Sequence, residues 1–463
     1  MTSLWDSVAN SSGGLRGAFH GPHHSLPLTE LEKGSCLGSG LEALRGRSVL
    51  LALKTQTASA VALLELDGVA RRLVLCTPDL SPERLAEVAR TAEIDAIVAD
   101  APVTIPGIEA PVYLIEPKPL AVSGQTPFSR RTSGVTEWIL LTSGTTGSPK
   151  LVLHTLASLA GTLPRQTEGT DPVWSTFYDI RRYGGLQIYL RAVLSSAPLV
   201  LSSATEPTPE YLARAGALGV THISGTPSHW RRALMSGAAP LLKPAYVRLS
   251  GEVADQVLLD QLHATYPHAR IAHAFASTEA GVAFDVNDGH AGFPAEFLDG
   301  RNGIEMKVED GTLRIRSQRT ATRYLGSEVS ALTGGEGWVD TGDLVELNEG
   351  RYYFRGRKGG IINVGGQKVY PEEVESVLNA DPRVRMSLVR SRRSPIMGAV
   401  VVADVVLNDG VNAAHDAAVA EALKDELLNS CRQSLPPYKV PAMLRFVPAL
   451  ELTAAGKLVR PGA

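Results

Sequence analysis

The sequence predicts an α/β protein: a large N-terminal domain of helix-covered sheets with a β subdomain, and a small α+β unit at the C-terminus. Three observations predict it. Between residues 40 and 300 short apolar runs alternate with helical stretches, the pattern of a parallel sheet covered by helices. After residue 300 the text turns to short strands and tight turns, GIEMKVEDGTLRIRS. From about residue 360 two further apolar runs, 387–389 and 400–407, precede a helical stretch at 416–434. At 463 residues the chain is too long for one simple core, so two or three domains are expected.

Taken in order, residues 1 to about 35 are rich in Ser, Gly, Pro and His and read as a poorly ordered lead-in. His20, His23 and His24 cluster there without acidic or cysteine partners, which argues against a metal site. Residues 48–53 form a short apolar strand, 58–66 a helix, and 72–76 another strand. Ser81-Pro82-Glu83 opens a helix, with serine as cap and proline in the first turn. A strand at 94–99 and a Pro/Ser/Gly-rich connection at 106–136 follow. Beyond 156 the alternation resumes, with helices at 156–163, 186–194, 209–218 and 255–265 and strands at 198–201, 222–224, 246–249 and 271–275. Ligands of open α/β sheets sit beyond the carboxyl ends of the strands. That places Ser250-Gly251-Glu252 and Ser277-Thr278-Glu279 on one rim.

Composition sets the broad class. The 44% hydrophobic and 20% charged content is that of an ordinary globular protein. A net charge of −3 argues against a generic nucleic-acid binder. Cys36, Cys76 and Cys431 have neither metal spacing nor a pairing framework and fit a reducing compartment. The N-terminus lacks a basic and an apolar signal region, and no apolar run reaches spanning length. The expectation is a cytoplasmic enzyme without membrane or nucleic-acid partners.

The most informative stretch is WILLTSGTTGSPKLVLH, residues 138–154. The apolar run of Ile139, Leu140 and Leu141 ends in Thr142, Ser143, Gly144, Thr145, Thr146, Gly147 and Ser148. Pro149 and Lys150 follow, then the run Leu151, Val152, Leu153. Glycines at 144 and 147 let backbone approach a ligand, and the hydroxyls with one lysine suit a polyphosphate. Proline before the lysine and strand-forming residues after it exclude a Walker A loop, so the reading is strand, loop, strand. A polar hairpin turn fits the composition equally well.

Other motifs decide between them. TSGTTGSPK (142–150), STEAG (277–281), WVDTGDL…FRGRKGGIINVGGQKVYPEEVE (338–375) and LPPYKVP…TAAGKLVR (435–460) stand in one order. In these the chain resembles the AMP-forming adenylating enzymes: acyl- and aryl-CoA synthetases, peptide-synthetase adenylation domains and luciferases. The resemblance runs from about residue 45 to the end. It implies an adenylation domain over 1–358, which binds acid and ATP, and a mobile lid domain over 359–463. It also implies two half-reactions: Mg-ATP and an acid give acyl-AMP and pyrophosphate, then a nucleophile, often a thiol, displaces AMP.

Residue by residue, the resemblance implies that Thr142, Ser143, Gly144, Thr145, Thr146, Gly147 and Lys150 hold the β- and γ-phosphates. Glu279 would hold Mg²⁺, a hard ion that takes oxygen ligands, and Thr278 would touch the α-phosphate. Phe275, Ala276 and Ser277 would line the adenine side, with the Phe275 ring stacked on the base. Asp343 would accept from both ribose hydroxyls, supported by Arg357. Lys457 would bridge the carboxylate and the α-phosphate. Rotation about Arg357-Lys358-Gly359-Gly360 would withdraw Lys457 and present Gly366 to a pantetheine arm.

The chain also departs from the family. Phe275-Ala276 replaces the usual Tyr-Gly, Gly359 replaces a usual Asp or Lys, and the N-terminal region is short. Arg181, in FYDIRRYGG, stands where relatives carry an aromatic residue or His. Together with Arg182 it would meet a second anionic group of the substrate, or else lie on a helix surface. Tyr183, His222, Ser224, Gly225, Thr226, Pro227, Ser250 and Gly251 would line the acid pocket. Their size and polarity suggest a small or aromatic acid. The expected acceptor is the thiol of CoA, with a carrier-protein phosphopantetheine or an amine as the alternative. A third reading is ATP-dependent activation of nitrite for diazotisation of an aryl amine.

Overall fold

The computed structural model describes residues 3–10, 14–116, 118–120, 134–142, 149–161, 163, 171–300, 303–326, 332–394, 398–408, 411, 417–453 and 457–459. An eight-stranded sheet runs in the order Gly281–Val286, Arg270–Ser277, Tyr246–Ser250, His222–Gly225, Trp174–Thr176, Leu199–Leu201, Ala18–His20, Ser25–Pro27. Its pairings are parallel except the first and last, which are antiparallel. A seven-stranded sheet runs Arg323–Leu325, Lys150–Thr155, Glu137–Thr142, Arg72–Leu75, Ser48–Ala52, Ala96–Ala99, Val112–Leu114. Its strands are parallel from Glu137–Thr142 onward.

Both sheets contribute to one core that also takes in the helices Gln56–Leu66 and Tyr183–Leu194. Every residue of the first helix is buried. Its sequence, QTASAVALLEL, has no polar stripe, and a helix apolar all round has no surface to offer water. Its two polar ends are satisfied internally. Glu65 accepts from Ser35 Oγ at 2.7 Å and Cys36 N at 3.1 Å, and Gln56 Oε1 accepts from Ile180 N at 2.8 Å.

An antiparallel five-stranded sheet, Ile304–Glu309 to Phe293–Pro294, forms the β subdomain. The C-terminal unit has its own core. It consists of the hairpin Ile362–Val364/Gln367–Val369, helices Pro371–Asn379 and Ala417–Ser434, and a sheet of Val384–Ser394, Gly398–Leu407 and Met443–Phe446. These are the α/β and α+β parts expected from the sequence. Among the described residues no helix is long and apolar enough to cross a membrane, and no cluster of His, Cys, Asp and Glu could hold a metal ion.

The N-terminal segment corrects the sequence reading. It is integral to the fold, not a lead-in. Leu4 and Val8 are buried on the helix Leu4–Ala9, and Ala18–His20 adds to the eight-stranded sheet beside Leu199–Leu201. Phe19, Leu28 and Leu31 are fully buried. These apolar residues are too widely spaced among Ser, Gly and Pro to give a local period. Their burial depends on partners found elsewhere in the chain.

Asp67 ties this segment down. Its carboxylate accepts from Leu4 N at 2.7 Å and from Trp138 Nε1 at 2.8 Å. Burial pushes the carboxyl up to about 6, partly opposed by these two hydrogen bonds. The folded state therefore holds the proton more tightly than the unfolded chain, whose carboxyl titrates near 3.8. This group's contribution to stability falls by about 3 kcal/mol as pH rises from about 4 to 6. The melting temperature of the wild type relative to Asp67→Asn should accordingly be higher at pH 5 than at pH 7. A difference that stays constant between the two would contradict this account.

Candidate active site

The central stretch is an antiparallel hairpin in which Glu137–Thr142 pairs with Lys150–Thr155 and Thr142 faces Lys150. Strand, loop, strand is the observed order. Ser143, Gly144, Thr145, Thr146 and Gly147 lie outside the described residues. At the mouth of the loop the buried Thr142 Oγ1 has no hydrogen-bond partner among the described residues. A lone donor at that place fits an anionic oxygen. Lys150 Nζ lies 5.2 Å from the centre of the Tyr324 ring, and the Tyr324 hydroxyl donates to Glu279 Oε1 at 3.4 Å. The strand Arg323–Leu325 makes this possible by pairing with Lys150–Thr155. The hairpin lysine and the carboxylate after Thr278 thus share a neighbour.

A buried histidine links the same two elements. His154 Nε2 is 2.7 Å from the Thr278 carbonyl, and Nδ1 is 2.9 Å from Ser158 Oγ. Burial lowers its pKa to about 4, so the ring is neutral and donates to Thr278. Gly281, at the end of STEAG, has φ +81°, and a Cβ there would lie 2.6 Å from the Cβ of Arg319. Only glycine fits that position. Phe275 is half-buried and stacks on Phe354 at 5.0 Å. Its neighbours Ala276 and Ser277 pair with Val282 and Gly281 across an irregular register.

The β subdomain and the C-terminal unit bring in the remaining groups. Arg357 Nε donates to Asp343 Oδ1 at 3.1 Å from the adjacent strand. Burial raises the Asp343 carboxyl, opposed by Arg357 and by Lys457. Lys457 comes down on Gly251: a Cβ on that glycine, whose φ is +86°, would lie 3.2 Å from Lys457 Cε and 3.6 Å from Nζ. Burial lowers the pKa of the ammonium, as does Arg357, while Glu252 and Asp343 act in the opposite direction. Lys457, Asp343, Arg357 and Gly251 are therefore one constellation.

Gly359 lies in the 3₁₀ turn Lys358–Gly360, and a Cβ there would meet nothing. Gly366 has φ +86° in the tight turn of the hairpin, where its N–H donates to Asn363 Oδ1 at 2.9 Å.

The acid pocket required two corrections. Arg181, expected beside the substrate, is turned into the core. Its Nε donates to Asp179 Oδ1 at 2.7 Å and its Nη1 to the Leu53 carbonyl. Its charge is thereby neutralised and its fork directed away from a ligand. His222 sits at the foot of the strand His222–Gly225, 4.6 Å from the Trp174 ring, and not on the rim. Thr226 caps the helix Pro227–Met235, accepting from His229 N at 3.0 Å, and its Cγ2 lies beside Gly251. Gly225 is packed against Phe177, whose Cδ2 would be 2.7 Å from a Cβ there.

The cation on this side is Arg248, which sequence reasoning missed. In the strand Tyr246–Ser250, Val247 and Leu249 point into one apolar core, while Tyr246 packs on the core that holds the Tyr183–Leu194 helix. The period of two then puts Arg248 and Ser250 on the helix side. Arg248 is 3% exposed, and its Nε donates to Asp285 Oδ1 at 2.9 Å. Its Nη2 lies 2.8 Å from the same carboxylate oxygen. The Ser224 Oγ on the neighbouring strand and Arg319 Nε are buried without hydrogen-bond partners among the described residues. Burial and then Arg248 lower the pKa of Arg191, and burial lowers that of Arg319. Tyr178 donates to the Ser250 carbonyl at 2.6 Å, and burial pushes the Tyr183 phenol up to about 12. A charged residue inside the apolar run YVRLS was the available signal.

The profile of the AMP-binding enzyme family matches residues 31–324, and that of the AMP-binding enzyme C-terminal domain matches residues 373–457. A 2-succinylbenzoate–CoA ligase from Salmonella typhimurium is 32% identical over 295 residues, covering 62% of this chain and 61% of the relative. One from Bacillus cytotoxicus is 25% identical over 446 residues, covering 91% and 88%. A crystal structure of the anthranilate CoA ligase AuaEII in complex with anthranoyl-AMP shares the fold. Its TM-score is 0.81 at 19% identity, over 99% of this chain and 95% of that one.

Proposed function

This chain belongs to the AMP-binding enzyme family, and from that premise we propose that it activates a carboxylic acid with Mg-ATP and transfers the acyl group to a thiol, CoA. The observation that carries this reading is that Lys457 lies over Gly251 while interacting with Asp343 and Arg357, which are hydrogen-bonded to each other. Gly251 follows the strand that pairs with the one leading to Thr278 and Glu279. A carboxylate attacking a triphosphate is repelled by it, so catalysis is mostly positioning and neutralisation of charge. Lys457 stands between acid and α-phosphate in this scheme, Asp343 takes the ribose hydroxyls, and Thr142 and Lys150 take the outer phosphates. Glu279 is the carboxylate suited to Mg²⁺, which when bound offsets phosphate charge.

The acid belongs to the small or aromatic class and carries a second anionic group. Arg191, Arg248 and Arg319 interact with Asp285 as their common carboxylate, and Asp285 keeps 36% of its side-chain surface open. Three guanidinium groups held largely away from water share this one carboxylate, and such a surplus of cations calls for an anion. Arg248 lies two residues below Ser250, about 7 Å along the strand, a span suited to a compact diacid. The dicarboxylate named in the curated relatives, 2-succinylbenzoate, is of this kind.

The test is Mg-dependent ATP–pyrophosphate exchange and CoA-dependent AMP release with 2-succinylbenzoate, isophthalate, benzoate, fatty acids and nitrite. A diacid should exceed its monoacid counterpart in kcat/KM by about 100-fold or more, because a site built for a polar group strongly rejects analogues lacking it. Equal use of benzoate and isophthalate would remove the second anion. Exchange without any CoA response would shift the acceptor to a carrier protein or an amine. A response to nitrite alone would replace the acid.

A further inference from the structure

We propose that Glu252 is a latch that holds the C-terminal unit where Lys457 can act in adenylation. The inference rests on the ligase reading above and assigns a positioning residue that the constellation itself does not include. Glu252 follows Gly251 in the loop after the strand Tyr246–Ser250. Its Oε2 accepts from Ser228 N at 2.9 Å and its Oε1 from Ser228 Oγ at 3.0 Å, so the carboxylate is fixed against the first turn of the helix Pro227–Met235. The same Oε1 accepts from Leu458 N at 3.1 Å, across 206 residues of sequence.

Leu458 adjoins Lys457, so one backbone contact sets the height of the lysine over Gly251. The other hydrogen bonds of that stretch among the described residues are Thr453 N to the Lys457 carbonyl at 2.7 Å, Lys457 N to Thr453 Oγ1 at 3.2 Å and Val459 N to the Glu451 carbonyl at 3.0 Å; they shape it internally and do not dock it. Among the described residues the contact to Glu252 is the one hydrogen bond from residues 451–459 to the N-terminal part.

Electrostatics require a counterweight at this point. Arg357 and Arg182 both oppose the charge of Lys457, while Glu252 and Asp343 favour it. Asp343 is already engaged by Arg357 and, in the reading above, by ribose. Glu252 is thus the carboxylate that attracts the lysine without being consumed by the nucleotide. A carboxylate accepting a backbone N–H forms a charge-assisted bond, stronger than a neutral one. One such bond biases the docked position and can still break in every turnover.

The experiment measures the two half-reactions separately in the full-length protein. The first is ATP–pyrophosphate exchange with 2-succinylbenzoate and benzoate. The second is AMP release from a supplied acyl-adenylate on addition of CoA. Glu252→Ala should slow exchange by about 10- to 100-fold, the scale of losing one oriented charged group near a reacting centre. The second half-reaction should hold its rate or rise. Glu252→Gln, which keeps an acceptor oxygen for Leu458 but no charge, should fall between wild type and alanine.

A purely structural role would lower both half-reactions in proportion to loss of folded protein, and that result overturns the latch. Unchanged exchange in both variants overturns it as well. If the alanine variant does not fold, the same asymmetry is read in Glu252→Gln. Absence of exchange in the wild type with every acid would instead remove the ligase reading. The two failures are therefore distinguishable.

Discussion

Replacing Lys457 by alanine is expected to lower ATP–pyrophosphate exchange by about 10²- to 10³-fold, while CoA-dependent AMP release from a supplied acyl-adenylate keeps its rate. The magnitude is that of removing one oriented donor from a site where charge builds up at the transition state. The asymmetry follows from position. Lys457 lies over Gly251 in the arrangement described here, and its ammonium meets Asp343, Glu252, Arg357 and Arg182. In the proposed second half-reaction the C-terminal unit has turned about the Lys358–Gly360 segment, and Lys457 is no longer at the reacting centre. Loss of both half-reactions together would contradict this assignment. The pH profile offers an independent check. Burial lowers the pKa of Lys457 from the usual 10.5, so adenylation should begin to fail at a lower pH than an exposed lysine would give.

Replacing Trp138 by alanine should destabilise the protein by about 3–5 kcal/mol, the range for deleting a large aromatic side chain from a core. Trp138 is 0% exposed and sits in the strand that leads into the hairpin loop. The loss has two parts. The indole leaves a cavity, and Asp67 loses the Nε1 donor that helps satisfy a carboxylate already strained by burial. Trp138→Phe helps to separate them: it removes the hydrogen bond but leaves a smaller cavity than alanine does. Urea midpoints should rank wild type, phenylalanine, alanine. A midpoint for Trp138→Ala close to that of the wild type would show that this strand does not belong to the cooperative core. Because Glu137–Thr142 carries the loop residues, exchange activity should fall along with stability.

Much of this was legible locally. The cap of the helix Pro82–Thr91 is Ser81, whose side chain accepts from Arg84 N, as Ser-Pro-Glu predicts. The strand, loop, strand order of Glu137–Thr142 and Lys150–Thr155 follows from two apolar runs around a Ser/Thr/Gly loop. Strand and helix alternation over 48–99 reproduces the observed order to within a few residues, whereas over 174–277 the strand Trp174–Thr176 and the helix Pro227–Met235 were missed. Less legible was the segment before residue 35, where Leu4 and Phe19 find partners in Asp67 and Leu199. For Arg181 in FYDIRRYGG the sequence left open a substrate anion or a helix surface, and the buried pairing with Asp179 is neither.

What the sequence by itself determined was the α/β layout, the order of the four motifs and the kinds of group they supply. Those are properties of neighbouring residues: period, capping, turn chemistry and composition act over a few positions. Only the tertiary structure decided that Arg181 turns inward to Asp179, that Arg248 instead occupies the helix side of its sheet, and that Glu252 meets Leu458. A side chain one residue out of phase on a strand points to the opposite face, so its partners depend on sheet register. Contacts such as Glu252 to Leu458 form only when separately folded elements dock, and no local propensity encodes them.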